Sequence, residues 1–167
     1  MSPEEIEAYF TRNDKTFAFA RWGRPIAPIV FGVEDETLGL VKAAINAVTT
    51  LANHSTSETD PELGSNLMFF FFRDWKELHD VPKLDHILPE LSPLTLKLEK
   101  GQANQYRFFR FDEAGGIKAC FIFIRMDEHL NAVSGKTLCL SQIVQSILLW
   151  SDVTFQDASP LAILPNG

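Results

Sequence analysis

Apolar residues recur at three-and-four spacing along one long stretch, Leu38, Val41, Ala44, Ile45, Val48, Leu51 and Ala52. This is the buried stripe of a helix and predicts one over Glu36 to Asn53. Glu34, Asp35 and Glu36 place negative charge at its start, where unpaired amide groups point. Elsewhere the apolar runs are continuous. Leu67-Met68-Phe69-Phe70-Phe71-Phe72, bounded by Asn66 and Arg73, has the length of a strand buried on both faces, which makes it a central strand. A packed core accounts for its four phenylalanines better than a cofactor pocket. Pro25 and Pro28 disfavour helix and leave Ile29 to Val33 as the first strand. Tyr106 to Phe111 and Ile117 to Met126 read as two strands joined by Asp112-Glu113-Ala114-Gly115-Gly116, a loop whose glycines can take positive φ.

The remaining elements are shorter. Residues 2 to 12 predict a helix capped by Ser2, with Pro3 at its first position, Glu4 and Glu5 in its first turn, and Ile6, Tyr9 and Phe10 on one face. Thr16 to Trp22 reads as a strand or an extended arm, and His54 to Pro61 as a solvent loop. Pro82, Pro89 and Pro93 break residues 74 to 100 into short helices such as Asp74 to Leu78 and Pro93 to Lys100. A last helix is predicted from Thr137 to Trp150, capped by Ser134 or Thr137. It has Leu140, Ile143, Val144 and Ile147 on one side and Ser141, Gln142, Gln145, Leu149 and Asp152 on the other. That second side reads as the floor of a groove or as a solvated face. Together these elements predict an α+β fold, with a single mixed β-sheet of about four to five strands packed by the long helix and the C-terminal helix. One domain is expected over 1–167: a helix and arm over 1–20, a core over 21–155 and an extended tail over 156–167 that packs on the domain.

Composition changes this picture little but narrows the partners. With 167 residues, 46% apolar and 22% charged, the chain is ordinary for a globular domain. A net charge of −7 argues against nucleic acid, whose phosphates draw on clustered Lys and Arg. The start Met1-Ser2-Pro3-Glu4-Glu5 is acidic where a secretory signal would be basic, and no apolar run approaches the roughly 20 residues that span a bilayer. The expectation is a soluble, cytoplasmic protein with no membrane partner. Cys120 and Cys139 form no CxxC pair and read as small buried hydrophobes.

Signatures of chemistry are scarce. His54, His79, His86 and His129 fall in loops, and no two have the spacing that puts both rings on one helical face. G-x-S-x-G, P-loop and G-x-G-x-x-G patterns do not occur. Tyr106-Arg107-Phe108-Phe109-Arg110-Phe111 has the aromatic density of an RNA-recognition strand without its glycines, and reads as a core strand with edge arginines. Arg21, Trp22 and Arg24 form a candidate binding element through guanidinium and indole. The alternative is a tryptophan that anchors the chain ahead of the first strand, with the arginines meeting solvent or an acidic neighbour.

The order strand, long helix, strand, irregular connection, two strands and a helix beneath them resembles the catalytic half of zincin-type metallopeptidases. Arg21-Trp22-Gly23-Arg24-Pro25-Ile26 and Gln145-Ser146-Ile147-Leu148-Leu149-Trp150-Ser151-Asp152 look like the R-W-x-x-P-I start and the Q-x-L-G-L-x-N-D helix end of a family of uncharacterised bacterial proteins. The resemblance covers about residues 20 to 160. Zincins carry H-E-x-x-H, two histidines one helical turn apart on the metal and a glutamate that activates water. The resemblance puts Ser141 and Gln145 at the histidines, Gln142 at the glutamate and Ser151 at a third ligand. All four depart from the pattern, and an amide neither acts as general base nor rivals imidazole on zinc.

The expectation is a non-enzymatic protein without cofactor or metal, a zincin-like pseudoenzyme or a domain that binds a protein or peptide. Its candidate binding residues are Ser141, Gln142, Gln145, Asp152, Arg21, Trp22 and Arg24. The alternative is an enzyme acting on a small anion, with Arg21, Arg24 or Arg107 holding the substrate and Asp152 or a histidine as acid or base. A homo-oligomer that buries its aromatic surface against another copy is a third expectation.

Overall fold

The computed structural model describes residues 1–162. Four strands, β1 (Pro28–Phe31), β2 (Leu67–Phe72), β3 (Gln105–Phe111) and β4 (Ile117–Arg125), form one sheet in the order β1-β2-β4-β3. β1, β2 and β4 run parallel, and β3 is an antiparallel edge joined to β4 by the glycine-bearing hairpin. The fold is α+β with a mixed sheet, and β2 is central, as its unbroken apolar run predicts. Both faces of that run are used. Leu67 and Phe69 join Cys120, Ile122 and Ile124 on one side, while Phe70 and Phe72 join Phe121 and Phe123 on the other.

The first face is covered by α2 (Asp35–Leu51) and α6 (Gly135–Ile147), which present Val41, Ala44, Ile45 and Val48, and Leu138, Cys139, Ile143 and Ile147. The absence of a side chain at Gly135 lets the helices meet closely: a Cβ there would lie 2.9 Å from Leu40 Cδ1. The second face is covered by a 3-10 helix (Trp75–Asp80), α3 (Leu84–Ile87) and α4 (Leu91–Lys100), through Trp75, Leu78, Leu84, Leu91 and Leu98. Stacked rings cross this face, with Phe31 4.8 Å from Phe70, Phe70 5.1 Å from Phe123 and Phe108 4.5 Å from Phe121. Offset stacking of this kind adds to the burial of the rings themselves.

Several boundaries differ from those the sequence predicts. α1 (Pro3–Ala8) keeps the Ser2–Glu5 capping box but ends before residue 12. Thr16 to Trp22 is an arm with isolated bridges to Thr11, Leu148 and Ile117 rather than a strand of the sheet. α5 (Glu128–Asn131), capped by Asp127, has no counterpart in the sequence prediction. Ser134 caps α6, its Oγ accepting from the Thr137 amide. That helix stops at Ile147, not Trp150, although neither glycine nor proline stands there. The cause is side-chain capping: the Trp22 indole donates to the Ser146 carbonyl at 2.9 Å and the Trp150 indole to the Val144 carbonyl at 3.0 Å. Those bonds satisfy carbonyls left open in a last turn, and Leu148 then runs extended beside Arg21. The tail forms turns over 152–158, and its last predicted residues, 163–167, lie outside those described. No helix among the described residues is long and apolar enough to cross a membrane.

Candidate functional site

Strand alternation puts Arg107 and Phe109 on the face of β3 turned towards α6, while Tyr106 and Phe108 face α4. Arg107 therefore reaches the last helix. Its Nη2 donates to Gln142 Oε1 at 2.6 Å and its Nη1 to Gln145 Oε1 at 3.3 Å. Each amide is oriented from its far end, since Gln142 Nε2 donates to Gln105 Oε1 and Gln145 Nε2 to Ser141 Oγ. Gln142 is only 1% exposed. Its amide is turned inward rather than to solvent, because it serves as the acceptor for the half-buried Arg107 guanidinium.

Arg107 is unusual in what it lacks. Among the described residues its Nε is shielded from solvent and has no hydrogen-bond partner, and no carboxylate pairs with the guanidinium. Burial pulls its pKa below the ordinary arginine value, against the opposing influence of the Cys120 sulfur beneath it. Burial likewise pushes the Cys120 thiol up to about 12, despite Arg107 and the Ser146 hydroxyl. The cluster is thus one cation, neutral amides and a protonated thiol.

Arg107 and Gln145 line a cleft of about 600 Å³ whose apolar wall is Phe109, Leu149, Trp150 and Phe155. Arg12, Asp14 and Asp152 stand along it as exposed charged residues. Ser151 also lines it but is buried, its Oγ donating to the Thr11 carbonyl at 2.9 Å. A second recess of about 430 Å³, which shares Gln145, Phe155 and Gln156 with the first, is lined also by Ser141, Gln142, Gln105 and His129. Of the candidate residues, Ser141, Gln142, Gln145 and Asp152 are therefore brought together around two adjoining spaces. Asp152 arrives from the tail, because α6 has already ended.

The other candidates lie apart. Trp22 is a core residue. Arg21 is exposed beside a different recess with His54 and Asp112. Arg24 donates to Asp60 Oδ2 at 3.2 Å and Glu62 Oε2 at 3.3 Å, so the segment anchors the chain and its second arginine meets acidic neighbours. The small-anion arrangement is divided accordingly: Arg107 and Asp152 share a cleft, whereas Arg21 and Arg24 do not join them. Among the described residues no three His, Cys, Asp or Glu side chains converge to hold a metal.

Sequence reading missed Gln105 and Phe155, and it gave Arg107 no place beneath the sheet. The alternation of Gln105, Arg107 and Phe109 was the available signal. A cation on the same strand face as a core phenylalanine needs acceptors from whatever covers that face. Comparison with known proteins supplies no relative: no family model, curated protein or solved structure matches the chain.

Proposed function

We propose that this chain is a non-enzymatic binding domain, a zincin-like shell whose catalytic seat has become a ligand cleft for a protein or peptide. One observation carries the reading. The positions that the resemblance assigns to the general base and a metal ligand, Gln142 and Gln145, both turn their carbonyls to the Arg107 guanidinium. A divalent cation held there would face a like charge a few ångströms away, which opposes the binding that a metallopeptidase requires. The amides and the apolar wall suit recognition, in which a few placed polar groups orient a ligand against hydrophobic surface. β3 is an edge strand, so an extended peptide could pair with it as strand-addition domains allow.

The test is titration of the isotope-labelled chain with short extended peptides, followed by amide chemical shifts. Shifts concentrated in 105–109, 141–145 and 149–156 are expected. Elemental analysis should find zinc far below one equivalent. Stoichiometric zinc, or cleavage of the peptides, overturns the reading.

The shared placement of Arg107 and Asp152 favours one second reading, an enzyme acting on a small anion. It requires Asp152→Asn to abolish a turnover that the wild-type chain displays.

A further inference from the structure

From the groups that surround Arg107, we infer that the ligand of the cleft is a monocarboxylate on an apolar or aromatic body, with the carboxylate seated at Arg107. This rests on reading the cleft as a binding site and adds the chemistry of the ligand. Three observations converge on it. Arg107 is held by two neutral carbonyls and has no carboxylate counter-ion among the described residues, so the fold keeps a half-buried positive charge without an ion-pair partner. A cation in that state gains strongly from an anion that brings its own acceptor oxygens. Arg107 also lines the cleft of about 600 Å³, so a ligand group can approach it.

The second observation is the wall. Phe109, Leu149, Trp150 and Phe155 supply apolar surface next to the charge, which accommodates the body of the ligand and leaves the acid group for the guanidinium. The third is the remaining charge. Arg12 and Arg107 share the cleft with Asp14 and Asp152, so its lining carries no net charge and selection falls on the group seated at the guanidinium. Two carboxylates at the rim repel a phosphate dianion more than a singly charged carboxylate.

Such a group occurs in free organic acids and at the C-terminus of a peptide. Calorimetric titration with 3-phenylpropionate, with its neutral amide, and with a short peptide ending in Phe as free acid or as C-terminal amide tests the inference and separates the sources. Saturable binding of at least one acid, with its amide weaker by about tenfold or more, is expected. Binding of 3-phenylpropionate but not the peptide acid assigns a free acid, and the reverse assigns a chain terminus. Arg107→Gln should abolish the preference for the acid. Gln142→Glu is the control for folding, because it places an internal counter-ion on Arg107: its circular dichroism should match the wild type while acid affinity falls about tenfold or more. Equal binding of acid and amide overturns the carboxylate inference and leaves the binding-domain reading standing. Undiminished acid affinity in Gln142→Glu overturns it too. Amide shifts from bound peptide that lie wholly outside the cleft overturn both.

Discussion

Arg107 on the edge strand and Gln142 on the last helix meet at 2.6 Å, guanidinium nitrogen to amide oxygen, and through this bond the last helix supplies the acceptor that a charge under the sheet requires. Gln142→Leu keeps the volume and removes that acceptor. It also leaves Gln105 without its donor from Gln142. A hydrogen bond to a charged group contributes about 1.5–3 kcal/mol, so urea unfolding should show a loss of about that size with an unchanged m-value. Gln145→Leu breaks the longer, 3.3 Å contact of a half-exposed side chain and should cost less than about 1 kcal/mol. Equal stability of the two variants would show that the 2.6 Å bond has no special weight.

Asp60 should govern part of the acid limb of stability. Burial, the largest single influence on its carboxyl, raises the pKa, but the amides of Leu63 and Glu62 together with Arg24 and Asn66 outweigh it and hold the group below the usual aspartate range. A folded pKa below the unfolded one means that the contribution is complete above the unfolded value of about 3.9 and is lost as pH falls through the folded value. Asp60→Asn keeps an acceptor for the amides and discards the charge opposite Arg24. It should be less stable by about 1–3 kcal/mol at neutral pH. Thermal melts should show the wild type and variant converging as the buffer is acidified past the unfolded value and through the lower folded one. A gap that persists unchanged in strong acid would assign the loss to packing.

How much of this was legible in the sequence depends on whether a residue announces itself through periodicity. β2 matches the predicted Leu67–Phe72 end for end, because an unbroken apolar run has no register to mistake. α2 departs by one or two residues at its ends, because seven apolar positions define its stripe. The end of α6 was not legible. It is set by two indole donors, one of them from Trp22 more than a hundred residues away in the chain, and local sequence carries no trace of such a cap. Gln142 was misplaced for a related reason. Helical phase turns it about 100° from Ile143 and about 160° from Leu140, and the arrival of Arg107 from another element gives a buried glutamine its partner there. Asn66 is similar: it reads as the end of a strand, yet it is fully buried and bridges the Pro25 carbonyl, the Ala27 amide and Asp60.

Cys120 and Cys139 should be silent towards thiol reagents while the chain is folded. Both are buried and free, and burial raises both thiols, Cys120 to about 12. The thiolate is the reactive form, so at pH 8 a group with that pKa is ionised about once in ten thousand molecules. Ellman's reagent should label neither sulfur over minutes in native buffer and both in denaturant. Fast native labelling of Cys120 would mean that β4, which carries it in the middle of the sheet, opens on that timescale.

The sharpest test of the zincin-like reading is to give the helix back its ligands. Ser141 and Gln145 already touch, Gln145 Nε2 to Ser141 Oγ at 3.0 Å, so Ser141→His with Gln145→His would set two imidazoles one turn apart on one face, as a shared metal requires. The same geometry leaves Arg107 beside the metal. Two positive charges and one at this range repel by an amount on the order of several kcal/mol where screening is partial. The double variant should therefore bind zinc weakly, and adding Arg107→Leu should raise its affinity by at least about tenfold, measured by competition with a chromophoric chelator. Circular dichroism of each variant keeps loss of folding apart from loss of binding. If removing Arg107 leaves zinc affinity unchanged, the guanidinium does not occupy the metal's seat, and the observation on which the binding-domain proposal rests loses its force.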